Sequence, residues 1–279
     1  MSFSIKYLLF FVVTGILSCA TTKKITLPVP PAQEKRITGS EFFKTVTSWK
    51  WKERDSFAVH EILAGNVSSF LKHMVPVRSL ITDSNGITHQ ATFYVLPDYL
   101  SLGTDKDWAR IPLTPMAAQK IADSFNCFLP TRKMVDLIYQ QAKVKLEPVP
   151  MFAYRDSSVT MWQHHLIIEG QRQGRTGLIA GIKKDVVLLD TSRRWGPANK
   201  PVTDRVAIYG WHQLNGKPIQ PLYTGHVNGY ADYSHGIRLI WREITIDGRK
   251  MDYTEVLRNP VLRALLCDEA NCVFPGYSY

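Results

Sequence analysis

Three dipeptides constrain this fold more than anything else in the chain: Asn85-Gly86, Asn215-Gly216 and Asp247-Gly248. Such pairs adopt left-handed turn backbone at little cost, so they join adjacent antiparallel strands. The flanking sequence agrees. VPVRSLIT and ITHQATFYVL bracket the first pair, RVAIYGWH and PIQPLY the second, HGIRLIWREITI and KMDY the third. All are rich in the β-branched and aromatic residues that fit a pleated surface. A chain with three such turns builds antiparallel sheet rather than a doubly wound parallel one.

Helix signals concentrate earlier. GSEFFKTV reads as a short helix capped by Ser40, and Asp55 to Asn66 as a second helix stopped at Gly65-Asn66. Thr114-Pro115 places a capping hydroxyl before a proline at the first helical position, and Thr131 repeats the cap. These two helices, joined across Cys127 to Pro130, predict a helical hairpin with Ile121, Phe125, Met134, Leu137 and Ile138 on its apolar faces. A further helix runs from about Asp156 to Gln171, and a last one, TEVLRNPVLRALLCDE, is broken at Pro260. Helices and hairpins are segregated, so the expected fold class is α+β. It comprises one globular domain over 40–279, helix-rich with a β-hairpin over 40–175, then a mainly antiparallel sheet and a C-terminal helix over 176–279. A composition 45% hydrophobic and 21% charged excludes disorder for that domain.

Residues 1–18, MSFSIKYLLFFVVTGILS, carry one lysine and an apolar run from Tyr7 to Leu17. That run is too short for a ~30 Å hydrocarbon layer and suits the core of an export signal. Ile16 to Cys19, I-L-S-C, resembles the lipobox of bacterial lipoproteins, which implies lipidation of Cys19. The alternative is an ordinary secretory signal with an unmodified cysteine. The resemblance implies an exported, lipid-anchored protein of a Gram-negative envelope, and Ala20 rather than aspartate after the cysteine implies the outer membrane. Residues 19–39, polar and proline-containing, read as a flexible tether. The membrane is then one partner, through the lipid.

The net charge of +10 becomes +9 once Lys6 leaves with the signal. An exported chain without a nucleic-acid-binding motif has no expected nucleic-acid partner, so the basic excess points to an anionic envelope polymer. Cys267 and Cys272, five apart, are placed for a small disulfide loop in an oxidising compartment, leaving Cys127 as a buried structural thiol.

Polar residues crowd one stretch. In GHVNGYADYSHGIR, His226, Asp232, Ser234, His235 and Arg238 fall between Gly225, Gly229 and Gly236. Glycines there permit positive φ or close backbone approach. In an extended segment Asp232 and Ser234 point away from Tyr233 and His235, so no triad forms within these residues. A nucleophilic Ser234 would need His226 or His212 as its base. No cofactor is expected; the alternative is a divalent metal such as zinc on His226, Asp232 and His235. Adjacent His164 and His165 diverge by ~100° on a helix and cannot chelate together.

SHGIRL, Ser234 to Leu239, resembles the Ser-His-Gly-Cys-Ile/Val-Arg motif of L,D-transpeptidases but lacks its nucleophilic cysteine. What the resemblance implies is a histidine and an arginine, His235 and Arg238, beside a small cleft, without the family's acyl transfer. LPTRKMVDLIYQQA and RVAIYGWHQLNGKPIQPLY are similar to an exported bacterial lipoprotein family, which implies a location and no activity.

The expected function is that of an envelope-anchored, hydrolase-like enzyme acting on a cell-wall or surface polymer. His226, Asp232 and His235 would be catalytic, with Arg238, Lys184, Tyr233 and Trp211 binding substrate, helped by Arg193 and Arg194. The alternative is a non-catalytic lipoprotein that recognises an anionic glycan or a partner protein, its histidines and Asp232 satisfying one another.

Overall fold

The structure is a computed structural model, describing residues 24–188, 204–274 and 276–279. Its fold is α+β. The order begins α1 (Gly39–Thr45), α2 (Trp51–Leu63), β1 (Val75–Thr82), β2 (Thr88–Val95), β3 (Ser101–Gly103), β4 (Trp108–Arg110) and α3 (Pro115–Ser124). It continues β5 (Cys127–Phe128), α4 (Arg132–Gln141), β6 (Val144–Lys145), α5 (Ser158–Arg172), β7 (Ile179–Ala180) and β8 (Lys184–Val187). Then come β9 (Ala207–His212), β10 (Pro218–Tyr223), β11 (His235–Gly236), β12 (Ile240–Trp241), β13 (Glu243–Ile246), β14 (Arg249–Asp252) and α6 (Tyr253–Arg258). No helix among the described residues is long and apolar enough to cross a membrane.

All three glycine turns join antiparallel neighbours: β1 to β2, β9 to β10 and β13 to β14. The larger sheet runs β14-β13-β2-β12-β5, with β1 on the other edge of β2. It therefore unites the early hairpin with strands from the end of the chain. The second sheet runs β10-β9-β8-β11 and is antiparallel except for its last pair, in which His235 lies beside Lys184. One core, from Leu27 to Tyr277, spans the helix-rich and β-rich parts.

Several helix starts differ from expectation. Thr38, not Ser40, caps α1: its hydroxyl accepts from the Glu41 N–H at 3.2 Å, and the Glu41 carboxylate accepts from the Thr38 N–H at 2.9 Å. Ser40 is drawn off by Asp107, to which its hydroxyl donates at 2.5 Å. Helix α2 starts at Trp51, because Glu53 accepts the Lys50 N–H at 2.9 Å and stabilises an earlier turn. Thr131 caps α4 as expected, accepting from Met134. The helical hairpin is not formed as a packed pair: α3 lies against α2, and α4 against β9 and β1. Ile121, Phe125, Met134 and Ile138 are buried in the common core.

Two more expectations need correcting. HGIRLIWREITI is not one strand but three short ones, β11, β12 and β13, serving two sheets. Nor does the tether reach residue 39. Thr26 bridges His73, the Leu27 N–H donates to Lys72 O at 2.8 Å, and Leu27 is buried. A single apolar side chain flanked by two backbone hydrogen bonds suffices to dock an extended segment that shows no periodicity. Cys267 and Cys272 form the disulfide, with Cα atoms 6.1 Å apart, and Cys127 is a buried free thiol.

Candidate functional site

Residues 232–235 fold as a tight turn, not as extended chain. The His235 N–H donates to Asp232 O at 3.0 Å, and the Asp232 carboxylate accepts both the Ser234 N–H at 2.8 Å and its hydroxyl at 2.5 Å. An aspartate bonding two residues ahead is a standard turn device. The chain then enters β11, where the Lys184 N–H donates to Ser234 O at 2.7 Å and brings Lys184 level with His235. The glycines act through close approach, for Gly225, Gly229 and Gly236 all lack positive φ. A Cβ on Gly236 would lie 2.5 Å from both Lys183 Cβ and the Tyr99 ring, and one on Gly229 3.0 Å from the Trp51 ring.

This backbone gathers three rings. The His226 and Tyr230 centroids are 4.6 Å apart, Tyr230 and His235 5.8 Å, and His226 and His235 6.1 Å. The Tyr230 hydroxyl donates to Asp232 at 3.2 Å, and Arg155 approaches the same carboxylate oxygen at 3.1 Å. His226 is partly exposed. His235 is only 1% exposed, and neither of its ring nitrogens has a hydrogen-bond partner among the described residues.

The electrostatics follow from burial. Burial pulls the His235 imidazole down to about 4, with Asp232 opposing and Lys184, His226 and Lys183 reinforcing. His226 is lowered by burial, against the pull of Asp232, and further by Lys184 and Arg155. Burial alone would raise Asp232, but His235, the Ser234 hydrogen bonds and Lys184 hold it at about 2. The His235 contribution exists only below about pH 4, where imidazolium is present, so at neutral pH Ser234 and Lys184 keep the carboxylate ionised. Tyr230 is pushed up to about 12, by burial first and then by the Asp232 charge. At neutral pH the cluster therefore holds two uncharged imidazoles, an anionic carboxylate and a neutral phenol.

The other expected residues separate. Lys184 is buried up to its ammonium, which lies 5.0 Å over the Trp211 ring. Trp211 has φ +58° after Gly210 at +106°, and its Nε1 is buried without a partner among the described residues. A bulky residue in that region is strained and needs its surroundings to hold it.

Arg238 does not face a ligand. It is fully buried, donates to Leu96 O at 3.0 Å and Ile179 O at 2.7 Å, and stacks over Tyr99, 4.0 Å from its centroid. Its Nε is 4.0 Å from Asp185, an ionic neighbour beyond hydrogen-bond range. Tyr233 is likewise internal, its phenol accepting the Met151 N–H at 2.6 Å. Both were expected to bind substrate, and both tie chain segments together instead.

Ser234 is no nucleophile here, since its buried hydroxyl is committed to Asp232. His212 is not its base: it bonds Asp136 at 2.9 Å and lines a separate cleft. No cysteine stands between Ser234 and Leu239, and Ile237, next after Gly236, is fully buried. Among the described residues no group of three or more His, Cys, Asp or Glu is arranged to hold a metal ion. Asp232, in the alternative zinc set, already has both oxygens engaged. Cys19, Arg193 and Arg194 lie outside the described residues.

Beside the cluster opens a cleft of about 680 Å³, lined by Trp49 to Arg54, Asp156 and Gly229 to Ala231. Tyr230 belongs to both the cleft and the ring cluster. Sequence reasoning missed Arg155, which stands 77 positions before Asp232, and counted Tyr230 only among the many rings of the later half. The phenol's position two residues before Asp232 was its available signal. Comparison with family models, with curated proteins and with solved structures finds no match to this chain.

Proposed function

We propose that this protein is an envelope-anchored lipoprotein with hydrolase-like activity on a cell-wall or surface polymer, His226 being its proton-transferring group. The observation that carries the reading is a partly exposed, uncharged His226 packed on Tyr230, with a second uncharged imidazole, His235, unpartnered behind them. Buried polar atoms without a protein partner are uncommon in native interiors, and each calls for an explanation.

In this reading His226 takes a proton from a water molecule as that water attacks the scissile carbon. The same proton then passes to the leaving group as its bond to carbon breaks. Lys184, its ammonium over the Trp211 ring, supplies positive charge against developing negative charge, and one Asp232 oxygen fixes both Tyr230 and Arg155. His235 and Asp232 are positioning residues. Neither Arg238 nor the transpeptidase chemistry enters.

A second reading is favoured by the closure of His235 and Asp232 from solvent: a non-catalytic lipoprotein whose cleft grips an anionic glycan or a partner. Purified mature domain incubated with peptidoglycan and with acidic surface polysaccharide separates the two. Wild type should release soluble fragments and His226→Gln should release at least ~100-fold fewer. Retained polymer affinity with no fragments from either protein would leave only the binding reading.

A further inference from the structure

The loop that supplies Arg155 carries the two most exposed aromatic side chains among the described residues, Phe152 at 92% and Tyr154 at 83% exposure. Large rings so fully in water are unusual in a folded chain, and a cluster of them marks an interaction site. This loop is not a loose tip. At one end the Met151 N–H donates to the Tyr233 phenol at 2.6 Å; at the other, the Tyr233 N–H donates to Arg155 O at 3.0 Å and Arg155 pairs with Asp232 at 3.1 Å. Tyr154 is held at φ +47°, a conformation that a tyrosine keeps only when its neighbours impose it. The next residue after Arg155, Asp156, lines the 680 Å³ cleft that also contains Tyr230.

We propose that Phe152 and Tyr154 form an aromatic lip that takes hold of a glycan strand by stacking on its sugar rings and feeds it into the cleft beside His226. The inference rests on the proposed polymer-directed function and adds the residues and chemistry of recognition. Two rings two positions apart, fixed to the turn that carries Asp232, offer apolar faces to the C–H faces of successive sugars. Trp49, with 38% exposure, lines the cleft and adds a further ring to it. Lys50 and Lys52 of the same cleft supply charge for carboxylates on the strand. A bilayer is the other occupant that exposed aromatics could suit. On the rings' own segment Glu147 and Asp156 stand against a single Arg155, so that segment lacks the clustered cations of loops that dock on anionic lipid, and the lysines belong to the cleft.

The test is sedimentation of the mature domain with insoluble peptidoglycan and its partition onto phosphatidylethanolamine–phosphatidylglycerol vesicles, for wild type, Phe152→Ala/Tyr154→Ala and His226→Gln. The double variant should melt at the wild-type temperature, since both rings are outside the core, and bind peptidoglycan at least ~10-fold more weakly. His226→Gln should sediment like wild type. Unchanged sedimentation of the double variant overturns the lip, and so does a loss confined to vesicles, which assigns the rings to membrane contact. A wild-type protein that releases fragments but does not sediment removes the lip and leaves the hydrolase reading standing. Sedimentation that depends on the two rings, with no fragments released, does the reverse.

Discussion

Two polar clusters lie inside this molecule, and they are finished to different degrees. Around Arg110 the opposite charges face one another, although Glu169 Oε1 makes an ion-pair contact without hydrogen-bond geometry. Its guanidinium makes a two-pronged contact with Asp98 at 2.9 and 2.6 Å and reaches Glu169 at 2.8 Å, while Asp98 also accepts the Tyr99 N–H at 2.7 Å. Around His235 the opposite holds: both ring nitrogens and the nearby Trp211 Nε1 are buried and unpartnered. Similar burial with different satisfaction separates a brace from a receptor, because an interior network is retained for stability only when its members are satisfied.

That contrast is sharpened first by cutting the brace. Asp98→Ala takes from the buried Arg110 the larger of the two carboxylate contributions that oppose burial, leaving Glu169 alone beside its charge. The expected loss is about 3–5 kcal/mol in urea unfolding. A loss below about 1 kcal/mol would break the comparison. Gly236→Ala should be comparably severe, because its new methyl must displace Lys183 and Tyr99 backing the site.

His235→Leu should behave in the opposite sense. It removes two unpartnered nitrogens and keeps the volume, so stability at pH 7 should hold or rise by about 1 kcal/mol while polymer cleavage falls. A loss of several kcal/mol would make His235 another brace.

The pH dependence gives a finer cut. His235 has its folded value near 4, below the ordinary 6.5, so between those values the unfolded chain binds a proton that the fold refuses. Stability must then fall as pH drops from 6.5 to 4, by roughly 3 kcal/mol for this group. Asp232, held near 2, keeps its contribution above 3.8 and loses it as pH falls through 2. Urea midpoints across this range should show His235→Leu flattening the upper window only. The slope that persists there belongs to His164 and His165, which burial also holds neutral. The smallest effect is expected for Arg155→Gln: with the arginine substantially exposed, its pair with Asp232 should contribute no more than about 1 kcal/mol.

How far the sequence revealed this depended on the range of the signal. Asn85-Gly86, Asn215-Gly216 and Asp247-Gly248 act over four residues, and each hairpin formed where they placed it. Thr131 capped its helix for the same reason, but Ser40 was claimed by Asp107 from 67 positions away, a competition no local pattern displays. Pairing of β2 with β12 and β13 is equally remote, which is why the early hairpin and the late strands looked like separate layers. At the site, His226, Asp232 and His235 were visible because they crowd one short segment. Arg238 shared that crowding and misled, since chemical type does not reveal that its segment, between β11 and β12, turns it inward onto Leu96 and Ile179. Arg155 was hidden by distance along the chain.

The docking of Ile25 to Leu27 beside Lys72 and His73 has a consequence for reach. Were Cys19 acylated, residues 20–24 alone would span the gap from the leaflet to the body of the protein, a leash of roughly 20 Å at full stretch. On so short a leash the face of the body that carries Ile25 to Leu27 would lie within that distance of the lipid surface.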